Sequence, residues 1–280
     1  MTDRAKFKVI STANRRGTRG FSLTEAIMVI VITGILAGMV AVFIRKPVEG
    51  FFDTARRAAL VDTADTVLRR MSRDLREALP NSVRLTGSTA LEFLHVRSAG
   101  RYREQIVPPP AAPGDILDFT ANDTSFDVLG PGVSVQSGDS VVVYNLGVTG
   151  ADAYEGPSTS RRAVPVGGPF GAALTNVTIS SAARFPFASP ARRFQVVDTP
   201  VSYVCSGSQM RRYSGYAILP VQPPTPAVTG ALIADKLSTC SFAYAAGPSE
   251  REALVTLSLA LTDGGETVSL IYQVHVNNVP

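Results

Sequence analysis

Residues 26–44 form an uncharged apolar run, AIMVIVITGILAGMVAVFI. At a rise of 1.5 Å per residue, a helix of this length reaches about 28 Å, close to the thickness of the hydrocarbon core of a bilayer. The buried helix of a water-soluble protein rarely lacks a charge over such a length. The run therefore predicts a transmembrane helix over residues 26–44.

The positive charge of the chain is concentrated before this run. Lys and Arg number 27 and Asp and Glu number 23, a net charge of +4. Residues 1–20 alone contain six basic side chains and one acidic side chain, so residues 21–280 have a net charge of −1. So basic a leader favours a cytoplasmic N-terminus, with the C-terminal part of the chain outside the cytoplasm. Without the leader there is no excess of positive charge for nucleic acid to attract, and we expect no nucleic-acid partner.

The apolar run is not followed by the small residues of an ordinary signal-peptide cleavage site. It continues into Arg45, Lys46 and Pro47 and then into a helical pattern, so we expect it to be retained. Glu25 stands at the edge of the run, where a carboxylate close to hydrocarbon usually has a partner and a function. The alternative for Glu25 is an interfacial acid solvated by lipid headgroups.

Residues 17–27, GTRGFSLTEAI, resemble the class III signal of type IV pilins and type II secretion pseudopilins. The shared features are the basic leader, the Gly-Phe pair, the glutamate five residues into the mature chain and the apolar run. The resemblance implies that a prepilin peptidase cleaves between Gly20 and Phe21 and that the new amine of Phe21 is methylated. It also implies that Glu25 neutralises the N-terminal amine of a neighbouring subunit, and that the helix bundles with those of other major and minor pilins.

Later segments are similar to the MshO family of minor pilins, which belongs to the mannose-sensitive haemagglutinin (MSHA) pilus system. These segments are residues 47–85, 137–145, 194–205, 210–218 and 273–280. The resemblance implies a minor pilin that takes part in the initiation and assembly of an MSHA-type pilus. It places the protein in the bacterial inner membrane, with one transmembrane pass and its C-terminal domain in the periplasm, and then in the pilus or a pseudopilus.

Two other hypotheses keep the same anchor. One is a type II secretion pseudopilin of the large J type. The other is a pilus-associated adhesin that binds through loops at residues 146–171 and 220–235. A membrane-anchored hydrolase is a further alternative, but the sequence contains none of the common hydrolase, phosphate-loop or dinucleotide-binding motifs. We therefore predict a protein that is not an enzyme, with no catalytic residue and no cofactor.

The rest of the chain predicts an α+β fold, in which the long N-terminal helix packs on a C-terminal antiparallel β-sheet domain. Apolar side chains at spacings of three and four predict an amphipathic helix up to Pro80, bent near Pro47. The predicted parts are the leader 1–20, the helix 21–79 and a periplasmic β-rich domain 80–280. Nine strands are predicted: residues 91–96, 115–119, 140–145, 176–180, 193–197, 201–205, 241–245, 254–261 and 267–276.

Local signals add detail to this outline. Asp65 and Arg69 stand four residues apart on the predicted helix, as do Arg73 and Glu77, and each pair is placed to form an ion pair. Residues 254–276 predict a β-hairpin that turns at Asp263-Gly264-Gly265.

The chain contains two cysteines, Cys205 and Cys240. In an exported domain such a pair indicates a disulfide, which would stabilise the fold by about 4 kcal/mol for a loop of this length. The alternative is two free buried thiols.

Few residues are candidates for metal binding. His95 and His275 each lie in an alternating strand pattern and are expected on strand faces rather than as ligands. Two cysteines without nearby histidines do not make a zinc site, so we predict no resident metal. The question left open is whether calcium touches the loop aspartates Asp115, Asp118, Asp123 and Asp127.

Overall fold

The computed structural model describes residues 20–109, 111, 114–156, 159–180, 183–246 and 252–280. Apart from Gly20, the predicted leader lies outside the described residues. The chain divides into two compact units, Met1–Thr54 and Ala55–Pro280. One helix, α1 (Leu23–Arg76), contributes residues to both units.

The apolar run forms the part of α1 that lies in the first unit. By length and composition this helix is able to cross a membrane, and none of its most apolar stretch is buried within the protein. The hydroxyl of Thr33 donates to the carbonyl of Val29 at 2.6 Å, so it needs no water to satisfy it. Pro47 lies inside the helix and has no N–H to offer the carbonyl of Phe43.

The second half of α1 is amphipathic and belongs to the core of the second unit. Its buried side chains recur every three or four residues, which is the spacing of one helix face. They are Leu60, Ala64, Val67, Leu68, Met71, Ser72 and Leu75. This face packs in a hydrophobic cluster with residues of both larger sheets, among them Phe93, Tyr203 and Leu257.

Fourteen strands follow the helix among the described residues. They are β1 (Arg84–Thr86), β2 (Ala90–Tyr102), β3 (Ser125–Leu129), β4 (Val133–Val135), β5 (Ser140–Val142), β6 (Arg161–Ala163), β7 (Gly171–Leu174), β8 (Asn176–Thr178), β9 (Arg193–Ser206), β10 (Gln209–Ser214), β11 (Ala231–Ala234), β12 (Leu237–Ala246), β13 (Glu252–Asp263) and β14 (Glu266–Asn277).

The strands pair antiparallel in three sheets. The largest sheet has the order β11-β10-β9-β2-β3-β8, with β1 beside β2, β5 beside β9, and β6 beside β5. A second sheet has the order β12-β13-β14, and β4 pairs with β7 in the third. A long helix followed by antiparallel sheets is an α+β architecture, so the predicted fold class is confirmed.

The predicted hairpin is also confirmed. Strands β13 and β14 pair from Glu252 and Asn277 to Asp263 and Glu266. Gly264 and Gly265 form the two-residue turn with φ angles of 56° and 89°. Both angles lie in the left-handed region that glycine adopts without strain, and such a turn matches the twist of the flanking strands.

Several sequence-based boundaries were wrong. Residues 115–119 do not form a strand, because carboxylates of this segment engage backbone N–H groups: Asp118 accepts from Thr120 at 2.7 Å and Asp123 accepts from the N–H of Asp118 at 2.8 Å. Conversely, residues 193–197 and 201–205 form the single strand β9. Pro200 is tolerated within it because the register of the neighbouring strand shifts between Leu94 and Val96, opposite the proline.

The helix ends at Arg76, three residues before the predicted end at residue 79. There the backbone joins β2: Val96 N–H donates to the Glu77 carbonyl at 2.9 Å, and Leu79 N–H donates to the Leu94 carbonyl at 2.8 Å. The predicted pair of Arg73 and Glu77 is therefore absent, and Glu77 contacts His95 instead. The other predicted pair is present, with Arg69 Nε 2.6 Å from Asp65 Oδ2.

Cys205 and Cys240 form a disulfide with a Cα–Cα distance of 6.4 Å. It joins β9 of the largest sheet to β12 of the three-stranded sheet. Both sheets contribute residues to the same hydrophobic cluster, so the disulfide links two sheets that share one core.

We predict that changing both cysteines to serine lowers the free energy of unfolding by about 2–5 kcal/mol, because the unfolded chain regains the freedom of a 35-residue loop. Urea unfolding of the exported protein in detergent measures the change, and dithiothreitol on the wild type should reproduce it. Two free thiols per chain in the untreated exported protein would overturn the assignment.

His95 connects the end of the helix to the sheet. Its Nδ1 lies 2.8 Å from Asp198 Oδ1 and its Nε2 lies 3.2 Å from Glu77 Oε2. Arg97 also contacts Asp198, at 3.2 Å. The hydrogen bond with Asp198 raises the pKa of His95 above its ordinary value.

A raised pKa means that folding favours the protonated imidazole. This contribution to stability is complete below the unfolded-state pKa of about 6.5 and is lost as the pH rises through the higher folded-state value. We predict that the urea midpoint falls between about pH 6 and pH 8, and that His95→Gln removes that fall. His275→Gln is the matched control, since His275 is exposed. An identical pH profile for wild type and His95→Gln would contradict the assignment.

Candidate functional site

The segment that the sequence identifies as the processing site lies just before the helix. Gly20, Phe21 and Ser22 are not part of any helix or strand, and α1 begins at Leu23. A methyl group placed on Gly20 would meet no atom within 4 Å, and Phe21 is 75% exposed. From Gly20 onwards, the residues beside the Gly20–Phe21 bond are therefore exposed and lie outside the helix.

Ser22 caps the helix. Its carbonyl accepts the first helical hydrogen bond, from Ala26 N–H at 3.0 Å, and its hydroxyl accepts from Glu25 N–H at 3.2 Å. The bond from Glu25 N–H satisfies one of the backbone donors that a helix start leaves without partners. Sequence reasoning missed this cap, although a serine three residues before a glutamate is the known signature of it.

Glu25 is thus the third residue of the helix, in its first turn. Its side chain is exposed, and among the described residues its carboxylate has no hydrogen-bond or ion-pair partner. The partial positive charge of a helix N-terminus stabilises an acid at this position by about 0.3–1 kcal/mol. Stabilisation by the helix N-terminus is therefore enough to account for a glutamate at this position. A role of Glu25 in assembly has to be tested separately from this local effect.

The apolar part of α1 presents small residues to its surroundings. Gly34 and Gly38 lie four residues apart, on the same side of the helix, and a Cβ at either would meet nothing within 4 Å. Small residues at this spacing let a second helix approach the backbone closely, which is how helices associate in lipid. This surface is suited to packing against other helices.

The aspartates proposed for calcium are engaged by protein donors. Asp127 accepts from Arg103 Nε, from the backbone N–H of Asp115 and from Asn176. Asp115 accepts from Ser125 and also from Asn176. These bonds lower the pKa of Asp127 below its ordinary value, chiefly the one from the Asp115 N–H. Within the described ranges, no three His, Cys, Asp or Glu side chains lie close enough to hold a metal ion.

Among the described residues of the second unit, Glu92 is the most buried carboxylate, and it is bonded on several sides. Arg84 Nε donates to it at 2.9 Å, and the hydroxyl of Tyr216 donates at 2.9 Å. The Arg84 guanidinium also lies 3.5 Å from the ring centre of Tyr154. This arrangement ties β1 and β2 to the two loops that contain Tyr154 and Tyr216, and it is a structural anchor.

The loops considered for adhesion offer little aromatic surface. Tyr154 is buried, and its hydroxyl donates to the carbonyl of Ser82 at 3.0 Å. Phe170 is partly exposed. The first loop therefore has one accessible aromatic ring among its described residues, and sugar binding through an aromatic cluster is disfavoured there.

One comparison with known proteins covers the segment around Gly20 and Phe21. Residues 15–41 match the protein family described as the prokaryotic N-terminal methylation motif. No curated protein and no solved structure matches the chain. The matched residues include Gly20, Phe21, Glu25 and most of the apolar run, so the motif supports a type IV pilin-like or pseudopilin protein. Such a signal implies processing by prepilin peptidase and assembly with other pilins, and it fits membrane anchoring.

The two explanations of Glu25 predict different outcomes. Glutamine is also accepted at the third helical position, so Glu25→Gln should keep the helix start and normal cleavage. If the carboxylate is needed for assembly, this variant should enter filaments at least tenfold less efficiently, as measured by immunoblots of sheared filaments.

Ser22→Ala is the matched control. It keeps the carboxylate and removes the cap, at a cost of about 1 kcal/mol in helix stability. We expect it to assemble nearly as well as the wild type. Normal assembly of Glu25→Gln, with poor assembly of Ser22→Ala, would show that the segment acts only as a helix cap.

Proposed function

We propose that this protein is a minor type IV pilin of the MshO kind, which takes part in the initiation and assembly of an MSHA-type pilus. Prepilin peptidase cleaves it between Gly20 and Phe21 and methylates the amine of Phe21. Until assembly it is held in the inner membrane by residues 26–44, with residues 80–280 in the periplasm. The observation that most supports cleavage and anchoring is an exposed Gly20-Phe21 pair two residues before an apolar helix that the protein does not cover.

The chemistry of assembly follows from the charges at the new N-terminus. Cleavage creates an amine on Phe21, and Glu25 supplies a carboxylate one helical turn away. In an environment of low dielectric constant either charge alone is costly, whereas an amine and a carboxylate of adjacent subunits attract strongly. A subunit is then held in register with its neighbour as its helix leaves the bilayer.

Within the second unit, the C-terminal part of α1 is bonded to the largest sheet. Asp74 on α1 accepts from the Tyr203 hydroxyl and from Arg212 Nε, each at 2.7 Å. Burial raises the pKa of Tyr203 well above its ordinary value, so the hydroxyl remains a donor at physiological pH. These bonds fix the part of α1 within the second unit to β9 and β10 of the largest sheet.

The cleavage proposal is tested by intact mass. The membrane-associated protein, expressed with a prepilin peptidase, should have the mass of residues 21–280 plus one methyl group. Gly20→Val should leave it uncut, because a branched side chain then stands next to the scissile bond. Gly17→Val is the matched control within the leader and should be cut normally. A chain cut after the apolar run would remove the pilin hypothesis.

The MSHA assignment needs a separate test, because a large J-type pseudopilin would pass the first one. Deletion of the gene should abolish surface pili while secreted enzyme activity in the medium stays unchanged. The chain with Glu25 intact should restore the pili when supplied in trans. Loss of secretion with normal pili would instead assign the protein to a type II secretion pseudopilus.

A further inference from the structure

Strand β14 forms a free edge of the three-stranded sheet. Within the described ranges, its backbone bonds to β13 and to no other strand. The opposite edge, β12, is partly covered, because Phe242 N–H donates to the Ser88 carbonyl at 2.7 Å. The N–H and C=O groups on the outer side of β14 are therefore available to a partner strand.

The sequence of β14 lacks the residues that usually protect such an edge. Natural edge strands are short, or they contain charged residues or proline, which prevent pairing with other chains. This strand is 12 residues long, and residues 267–277 include no Asp, Glu, Lys, Arg, Pro or Gly. Ile271 and Tyr272 are 72% and 38% exposed. A long uncharged edge of this kind is suited to accept another strand.

The free edge lies beside the helix α1. At the start of β14, Glu266 Oε2 lies 3.7 Å from Arg57 Nε. Further along the strand, Tyr272 lines a cleft of about 410 Å³ between the strand and the helix. The helix residues that line the same cleft are Thr66, Arg69, Ser72, Arg73 and Arg76.

Tyr272 indicates where the side chains of an added strand would lie. It alternates in step with Val268 and Val274, which are buried in the same cluster as α1, so all three project from the inner face of the sheet. Tyr272 is still partly exposed, so the helix does not fully cover this face. A further strand, about 4.8 Å beyond β14, would direct every second side chain towards the same side of the helix.

That side of the helix is basic. Arg69, Arg73 and Arg76 follow one another at spacings of four and three residues, so they form one stripe, here called the arginine stripe. Arg69 Nε lies 2.6 Å from Asp65 Oδ2. In the part of the chain that the structure describes, Arg73 and Arg76 are exposed and have no ion-pair partner. The cleft beside the free edge therefore has a net positive charge.

The arginine stripe has nearly the repeat of a strand. At 1.5 Å per residue, Arg69 and Arg73 are about 6 Å apart along the helix axis, and Arg73 and Arg76 are about 4.5 Å apart. Alternate side chains of a strand are about 6.6 Å apart. Acidic side chains at every second position of an added strand would therefore reach successive arginines, and such charge-assisted hydrogen bonds are stronger than neutral ones.

We propose that the free edge of β14 and the arginine stripe together bind an extended acidic segment of another protein. The segment adds to the three-stranded sheet as a fourth strand, and its backbone pairs with that of β14. Glutamate or aspartate side chains at alternate positions pair with Arg73 and Arg76. This interaction goes beyond assembly through the apolar helix, and it does not depend on the pilin proposal.

A second copy of this chain fits the edge less well. Antiparallel pairing of two β14 strands would place both helices on the same face of the joined sheet. The two arginine stripes would then approach one another, and like charges at close spacing destabilise such pairing. The one acid of β14, Glu266, already contacts Arg57. The charges therefore favour a partner that is acidic where this chain is basic.

Fluorescence anisotropy tests the proposal on the full chain in detergent at low salt. The probe is a labelled ten-residue peptide of alternating threonine and glutamate. We expect saturable binding, and at least tenfold weaker binding of a peptide of alternating threonine and lysine. Methylation of four consecutive central amide nitrogens keeps the charges of the acidic peptide but removes its strand hydrogen bonds. It should also weaken binding at least tenfold.

On the protein side, the double variant Arg73→Gln/Arg76→Gln should bind the acidic peptide at least tenfold more weakly. The matched control is Arg101→Gln/Arg193→Gln, which removes the same charge from exposed residues of β2 and β9 in the largest sheet. It should bind as the wild type does. Thermal unfolding followed by circular dichroism confirms that both double variants fold.

Each other outcome would contradict the proposal. No saturable binding of the acidic peptide would overturn it outright. Equal binding of the methylated peptide would indicate attraction between charges without strand addition. Equal weakening by both double variants would indicate an effect of total charge rather than of the arginine stripe. A dimer of the wild-type chain that the acidic peptide does not displace would assign the edge to a second copy.

Discussion

The apolar surface of residues 26–44 decides where this protein can exist and what it has to contact. None of the most apolar stretch of α1 is buried by the protein itself, and burying such surface is worth about 25 cal/mol for each Å². That surface therefore has to be covered by lipid or by other helices. The exposed Gly20-Phe21 pair, the cap at Ser22, the acid at Glu25 and the small residues Gly34 and Gly38 all stand on or beside it.

In the second unit, one face of the same helix is buried in the core of the protein. From Leu60 to Leu75 its apolar side chains fall on one face and pack against two sheets, while the opposite face is charged. The disulfide of Cys205 and Cys240 and the contacts of Asp74 fix that packing. The helix α1 thus has two parts. Residues 26–44 need lipid or other helices to cover their apolar surface, whereas the apolar face from Leu60 to Leu75 is covered by the sheets of the same chain.

Sequence patterns predicted the helix, the α+β class and the β13–β14 hairpin, because each depends on local periodicity or on turn residues such as Gly264 and Gly265. They failed where distant contacts decide the outcome. The helix stops at Arg76 because residues 77–79 bond to β2, and residues 115–119 are irregular because side-chain carboxylates capture backbone donors. The free edge of β14 beside the arginines of α1 is likewise set by a strand order that no local pattern encodes. At the predicted processing site, the sequence motif indicated Gly20, Phe21 and Glu25, but it did not lead us to predict the helix cap at Ser22.

We propose that the apolar helix is retained and passes from the membrane into an assembly of subunits. The most direct measurement is to shear surface filaments from cells that express an epitope-tagged chain, and to compare the tagged protein in the filament and membrane fractions. We predict processed chain, beginning at Phe21, in both fractions. Tagged protein found only in the membrane fraction, or a filament-associated fragment that begins after residue 44, would contradict it.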